Sequence, residues 1–156
     1  MVKIMFVCHG NICRSPMAEF VLKDMVKNKG LESSFYICSA ATSSEAIGEI
    51  VHFGTRRKLK QVGITTDGKI AIKFNPSDYD KYDYIIVMDE RNISNIYKLL
   101  GDGDYKKIHK LLDFTSRKGD IADPWYTGNF DVTYDDIYEG CEALIEYILK
   151  NDYVKL

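Results

Sequence analysis

The stretch Val2-Lys3-Ile4-Met5-Phe6-Val7-Cys8-His9-Gly10-Asn11-Ile12-Cys13-Arg14-Ser15-Pro16 decides how the rest of the chain is read. Lys3 to Val7 forms a short run that is apolar on both faces, the pattern of a strand covered on both sides. Ser15 can cap a helix that has Pro16 at its first position. Between strand and helix, Cys8 and Arg14 bracket five loop residues. A loop of this kind can turn its backbone N–H groups inward and bind an anion. The helix N-terminus adds partial positive charge, and a guanidinium can grip two phosphate oxygens at once. The same field favours thiolate over thiol at Cys8, and thiolate is the reactive form. The stretch therefore predicts a phosphate pocket, formed by residues His9, Gly10, Asn11, Ile12, Cys13 and Arg14, with an attacking sulfur in its floor.

Other readings of the same residues are weaker. A lone intracellular cysteine at a strand end is usually buried and inert. Cys8 and Cys13 could be half of a zinc site. However, Cys38 and Cys141 make no second close pair, and His52 and His109 stand alone, so metal-ligand spacing is absent. A nucleotide-binding loop needs Gly-Lys-Ser/Thr after its glycines, which the chain lacks. No metal and no cofactor are expected.

Outward from this stretch, apolar and amphipathic segments alternate. Met17, Val21 and Met25, with Ala18 and Leu22 beside them, give the first helix a buried stripe, and Gly30 can stop it. Phe35 to Cys38 reads as a second strand, followed by a small polar loop from Ser39 to Ser44. Thr55 to Val62 reads as a helix ending at Gly63. Tyr84 to Met88 is the clearest central strand, rich in β-branched residues. Ile93, Ile96, Tyr97 and Leu100 repeat at helical spacing. Lys107 to Leu112 reads as a fourth, edge strand. Thr133 can cap the last helix, with Asp136 as a variant capping-box partner, and Ile137, Cys141, Leu144, Ile145 and Ile148 are its core face. The order predicts an α/β fold: one domain over residues 1–156, with a four-stranded parallel sheet and helices on both faces. In such sheets ligands bind beyond the carboxyl ends of the strands, where strand order switches. Cys8 lies at one of those ends.

Composition sets the outer limits. A chain of 156 residues, 46% hydrophobic and 28% charged, suffices for one core. A net charge of −2 lacks the basic footprint of a nucleic-acid binder. Arg56-Arg57-Lys58 and Lys60 form a small basic cluster that reads as a solvated helix face. No apolar run is long enough to span a bilayer, and no signal-peptide pattern is present. The expectation is a cytoplasmic monomer with reduced cysteines, bound to neither nucleic acid nor membrane.

An acid is the other half of such a site. Asp123-Pro124-Trp125-Tyr126-Thr127-Gly128 is the best loop for it. Pro124 stiffens the turn and biases Asp123 towards an extended backbone. A carboxyl beside two large aromatics can be held partly out of water and trade a proton. An ordinary Asp-Pro turn is the plainer reading, and only the cysteine loop tips the balance. Asp113, Asp120, Asp131, Asp135 and Asp136 read as turn and cap residues. Asp89, after the third strand, could help order the site but reads as mainly structural.

Taken together, these segments resemble the low-molecular-weight protein tyrosine phosphatases over nearly the whole chain. The resemblance is carried by Phe6 to Glu19, Ser39-Ala40-Ala41-Thr42-Ser43, Gly48, Tyr82-Asp83-Tyr84-Ile85, Met88-Asp89 and Asp123-Pro124-Trp125-Tyr126. It implies a flavodoxin-like, phosphotyrosine phosphatase I-like fold and hydrolysis of phosphotyrosine in protein substrates, with inorganic phosphate as product. It also implies roles. Cys8 would form a phosphocysteine. Arg14 and the loop N–H groups would hold the phosphoryl oxygens. Asp123 would protonate the leaving phenolate and later deprotonate water. Ser15 would donate to the Cys8 sulfur, Asn11 would brace the loop, and Trp125 and Tyr126 would flank the substrate ring. A redox-protective Cys8–Cys13 disulfide is implied as well. The chain departs from the pattern where many members carry an aromatic on the pocket lip, since Glu45 stands there. It departs again at His52-Phe53-Gly54, where others have Asp-Pro-Arg, and at Gly68, near a supporting histidine of several members.

Three rival functions follow. An arsenate reductase of the same architecture needs two more cysteines on a mobile segment, and the segment after Met88 has none. A phosphoarginine phosphatase is nearer; the resemblance suggests that branch has Thr where Ile12 stands, and a β-branched apolar residue there favours a flat phenyl ring. A non-enzymatic phosphate-binding module fits poorly with Cys8, Arg14, Ser15 and Asp123 occurring together.

Overall fold

The computed structural model describes residues 1–151. Four parallel strands, β1 (Val2–Cys8), β2 (Phe35–Ala41), β3 (Tyr84–Val87) and β4 (Ile108–Lys110), form one sheet in the order β2-β1-β3-β4. Among the described residues six α-helices flank the sheet: α1 (Arg14–Asn28), α2 (Phe53–Gln61), α3 (Asp78–Lys81), α4 (Glu90–Leu100), α5 (Pro124–Thr127) and α6 (Phe130–Asn151).

The double-sided apolarity of β1 sets the layers. Ile4, Phe6 and Cys8 point into one core, shared with Met17, Leu22, Ile137 and Leu144 of α1 and α6. Met5 and Val7 point into the other, shared with Phe74 and with Ile96 of α4. Fully burying a side chain such as Phe6 or Ile4 contributes roughly 1.5–3 kcal/mol. From β1 the chain crosses to β2 on one side, and from β3 it crosses to β4 on the other. Crossovers of one hand then place α1 and α4 on opposite faces. Strand order switches beside β1, and Cys8 ends that strand.

Several element boundaries differ from the sequence expectation, each for a local reason. Ser15 does not cap α1: the helix begins at Arg14, Cys13 precedes it without a side-chain cap, and Ser15 lies inside with its hydroxyl on Cys8. β2 runs on through Ser39 to Ala41, pairing Phe6 to Cys8, because small side chains there let the strand end pack under the cysteine loop. α2 starts at Phe53, since His52 Nδ1 accepts the Gly54 N–H and caps it. β4 stops at Lys110, where a 3₁₀ turn over Leu111–Phe114 takes Leu111 beneath α6. Gly140 permits that approach, because a Cβ there would stand 2.5 Å from Leu111 Cγ. Thr133 lies inside α6. Asn129 Oδ1 instead accepts the Val132 N–H, and the Thr133 hydroxyl donates to the Ala122 carbonyl. The five apolar residues expected on the core face of α6 are all buried.

Candidate active site

The loop from His9 to Cys13 joins the carboxyl end of β1 to the first turn of α1. Asn11 has φ +58°, a left-handed conformation uncommon for a residue with a side chain. Its amide holds that conformation in place. Nδ2 donates to Ser15 Oγ (2.7 Å) and Ser39 Oγ (2.9 Å), and Oδ1 accepts the Ile72 N–H (3.1 Å). Among the described residues, the backbone N–H groups from His9 to Arg14 donate to no protein acceptor. A cradle of unengaged N–H groups at a helix N-terminus is an anion site.

Cys8 is buried in the floor of that cradle, with Ser15 Oγ 3.0 Å from its sulfur and the Ser15 N–H at 3.4 Å. Proton counting favours one direction for the first contact. Ser39 donates its only proton to Glu19 Oε1 (2.5 Å) and so accepts from Asn11. Both Nδ2 protons of Asn11 are then used, and Ser15 Oγ accepts one of them. The Ser15 hydroxyl proton is left for Cys8 or for the Ala40 carbonyl, which is farther at 3.4 Å. The chain Glu19–Ser39–Asn11–Ser15 therefore ends as a donor on the sulfur, the arrangement that stabilises a thiolate. Glu19 is itself buried, with Lys23 Nζ at 2.6 Å and Lys69 Nζ at 3.8 Å. Lys69 also donates to the Ser39 carbonyl (2.8 Å). It follows Gly68, so an ammonium now supports this side of the loop. Burial lowers the Lys69 pKa, and Glu19 opposes that shift.

Arg14 is 2% exposed and held from outside the loop. Its Nη1 donates to Asp89 Oδ2 (2.7 Å) and to the Ile121 carbonyl (2.8 Å), while Nη2 lies 3.5 Å from Asp123 Oδ2. Burial works against the charge, yet the Cys8 sulfur, Asp89 and Asp123 more than offset it, so the pKa is raised and the guanidinium stays charged. With Nη1 occupied, Nε and the second Nη2 hydrogen form the fork left for an anion. Asp89 thus does more than the structural task read from sequence. Oδ1 caps α4 by accepting the Asn92 N–H (2.8 Å), and Oδ2 aims Arg14. Its place just past β3, at the same carboxyl end of the sheet as Cys8, is a sequence signal that points to it.

Asp123 precedes Pro124 and caps α5, its Oδ1 accepting the Trp125 N–H (3.1 Å). Asp123, Cys8, Arg14 and the cysteine loop line one cleft of about 550 Å³. Its mouth is built by Trp125 and Tyr126, 60% and 78% exposed, and by Ile50 and Phe53. Glu45 also lines it, bound to His9 Nε2 at 2.9 Å. Arg56, read from sequence as part of a solvated face, lines the mouth too. His52 joins the two walls: its ring stacks on Phe130 (centroids 5.3 Å) and meets Trp125 edge-on (5.5 Å). Gly54 lies so close to Phe130 that an added Cβ would come within 2.3 Å of the ring.

Cys13 is buried beside the nucleophile loop. Burial, then the Cys8 and Asp123 charges, push its thiol up to about 12, against a smaller lowering by Arg14. It remains a neutral thiol at physiological pH. All four cysteines are free. Among the described residues no group of three or more His, Cys, Asp or Glu gathers as a metal site, and no helix is long and apolar enough to cross a membrane.

A sulfur with a donor on it, an anion cradle, an aimed guanidinium and a carboxyl in one cleft can together perform in-line phosphoryl transfer. Comparison with known proteins agrees with this chemistry. The family described as low molecular weight phosphotyrosine protein phosphatase matches residues 3–154. The low molecular weight protein-tyrosine-phosphatase YfkJ of Bacillus subtilis is 41% identical over 152 residues, covering 96% of this chain and 97% of its own. Its crystal structure superposes with a TM-score of 0.95, at 40% identity, covering 98% of each chain. PtpA of Staphylococcus aureus, a protein of the same description, is 38% identical over 156 residues, covering 99% of both chains. A Drosophila arginine phosphatase shares the fold at a TM-score of 0.85 and 30% identity, covering 97% of this chain and all of its own. The cysteine cradle, its fold and these relatives lead to one assignment: the chain belongs to the low molecular weight phosphotyrosine protein phosphatase family.

Proposed function

We propose that the protein hydrolyses phosphotyrosine in protein substrates through a phosphocysteine intermediate. The observation that carries this is the Ser15 hydroxyl, 3.0 Å from Cys8 Sγ and directed at it by a chain of hydrogen bonds anchored on a buried carboxylate that accepts. The Cys8 thiolate attacks phosphorus in line. The P–S bond forms as the bond to the aryl oxygen breaks, and Asp123 gives its proton to that oxygen. Arg14 and the N–H groups of the loop hold the equatorial oxygens as charge redistributes. Asp123, now a carboxylate, takes a proton from water as the water attacks phosphorus. The P–S bond breaks, the Ser15 hydroxyl supports the leaving sulfur, and inorganic phosphate departs. Trp125 and Tyr126 flank the substrate ring. The same reading places the protein in the cytoplasm as a monomer, with Cys13 available to capture an oxidised Cys8 as a disulfide.

The arginine phosphatase relative makes phosphoarginine the substrate to set against phosphotyrosine. Ile12 lines the cleft, and its branched side chain favours a flat ring over a guanidinium-linked phosphate. The deciding experiment measures kcat/KM for a phosphotyrosine peptide and a phosphoarginine peptide with a chelator present, in wild type and Ile12→Thr. Preference for phosphotyrosine that falls in Ile12→Thr supports the reading, and preference for phosphoarginine in the wild type overturns it. Cys8→Ser should bind phosphate without turnover, because a serine hydroxyl is protonated at neutral pH; activity in this variant would remove the covalent route.

A further inference from the structure

We infer that Arg56 is a specificity-determining residue that binds the carboxylate of an acidic side chain flanking the phosphotyrosine. This rests on phosphotyrosine peptides being the substrate. Four basic residues lie on α2, and the structure treats them differently. Lys58 is engaged by Asp131 at 2.9 Å. Arg56 is drawn to the cleft: its Nε donates to the Val51 carbonyl (3.0 Å), and its guanidinium carbon lies 5.9 Å from the centre of the Phe53 ring. These contacts hold the head of the side chain at the rim and leave both terminal amino groups without a carboxylate among the described residues. Of the carboxylates lining the cleft, Glu45 is committed to His9 and Asp123 to Arg14 and the Trp125 N–H, and among the described residues Glu49 makes no ion pair with Arg56. Arg56 is therefore a charged fork facing the substrate mouth with no internal counter-ion.

A planar guanidinium pinned through Nε presents its remaining hydrogens in the geometry that takes a carboxylate oxygen pair. The phosphate is bound by the loop at the base of the cleft, so the peptide on either side of the tyrosine must cross the rim. An Asp or Glu side chain that reaches Arg56 becomes a second anchor. A lysine at the same position meets a like charge. Rim contacts of this kind are modest and screened by salt, so the discrimination is about 3- to 10-fold at low ionic strength.

The test uses phosphotyrosine heptapeptides that carry Glu or Lys, one position at a time, at the two residues before and the two after the phosphotyrosine. The quantity read is the Glu-to-Lys ratio of kcat/KM, in which general changes in catalytic power cancel. In the wild type the ratio should reach about 3 to 10 at one or more positions and shrink at 0.5 M salt. At those positions it should approach one in Arg56→Gln and fall below one in Arg56→Glu. Ratios near one at all four positions in the wild type, or an unchanged ratio in Arg56→Glu, overturn the assignment of Arg56. Failure of the substrate reading looks different: the wild type would leave all the phosphotyrosine peptides intact while hydrolysing a phosphoarginine peptide.

Discussion

Replacing Asp89 with asparagine separates aiming Arg14 from merely having it. The two carboxylate oxygens of Asp89 serve two partners, the Asn92 N–H at 2.8 Å and Arg14 Nη1 at 2.7 Å. An amide has one oxygen, so one bond must go, and a donor is turned on a donor. If the cap is kept, a hydrogen bond to a buried guanidinium is lost, a contribution of about 1.5–3 kcal/mol. The Ile121 carbonyl still holds the other Nη1 hydrogen, and Asp123 stays near Nη2, which favours the lower half of that range. Expressed in the transition state, this is a fall of about 10- to 40-fold in kcat/KM for an aryl phosphate. Asn92→Ala is the companion variant. It leaves the Arg14–Asp89 contact intact but removes the Asn92 oxygen that accepts the buried Met88 N–H and the part-buried Asp89 N–H. Stranding them costs about 2–4 kcal/mol, or roughly 4–16 °C in Tm for a chain of this size. The two variants should therefore cross: Asn92→Ala the less stable, Asp89→Asn the less active per folded molecule. Activity of Asp89→Asn within twofold of wild type, or an equal loss in both, would refute the claim that Asp89 aims the guanidinium.

Asp123→Asn should slow tyrosine phosphate by about 10²–10⁴ and a highly activated aryl phosphate far less, because only a basic leaving oxygen needs a proton; equal losses on both would take the acid role from Asp123. Cys13→Ser should keep basal turnover but recover less activity in dithiol after peroxide, and non-reducing peptide mapping of the wild type should show an 8–13 linkage. Equal recovery and no linked peptide would leave Cys13 as packing. Stability should fall above pH 9. Burial pushes the thiols of Cys13, Cys38 and Cys141 up from 9.0, to about 12 and about 11 for the first two. The unfolded chain then releases protons that the folded chain retains. Their contribution is fully present below pH 9 and is lost progressively as pH rises towards the folded values. Urea midpoints at pH 8 and 10.5 should diverge less in Cys141→Ala than in the wild type; an identical difference would contradict the argument.

Local patterns were legible, and contacts between distant segments were not. β1 could be read because both of its faces are apolar, and α6 because Ile137, Cys141, Leu144, Ile145 and Ile148 recur at helical spacing. Cys8 and Arg14 could be paired because only five residues lie between them. Ser15 and Thr133 misled for a shared reason. Each is a hydroxyl residue ahead of an apolar helical stripe, which reads as a cap, but each hydroxyl is diverted to a tertiary partner, the Cys8 sulfur and the Ala122 carbonyl. Asp89 is underweighted in sequence: a part in ordering the site is one of its two readings, but its bond to Arg14 spans 75 residues and leaves no periodic trace. The support from Glu19, Ser39 and Lys69 is of the same long-range kind. Arg56 could not be told from Arg57 by spacing, because contacts with the Val51 carbonyl and the Phe53 ring are what draw it to the cleft.

The contact of His52 with both Phe130 and Trp125 has a mechanical consequence. One wall of the mouth carries the cap of α2, the other carries the acid loop, and His52 links both to the first residue of a 22-residue helix. The glycine at position 54 removes the clearance that would let them slide. The gap between the walls is therefore gauged by the seating of α6 on the sheet, as the jaw of a calliper is gauged by its beam. A substitution deep under that helix, at Leu144 or Ile148, would reset the gap from more than one helical turn away without touching a residue that meets substrate.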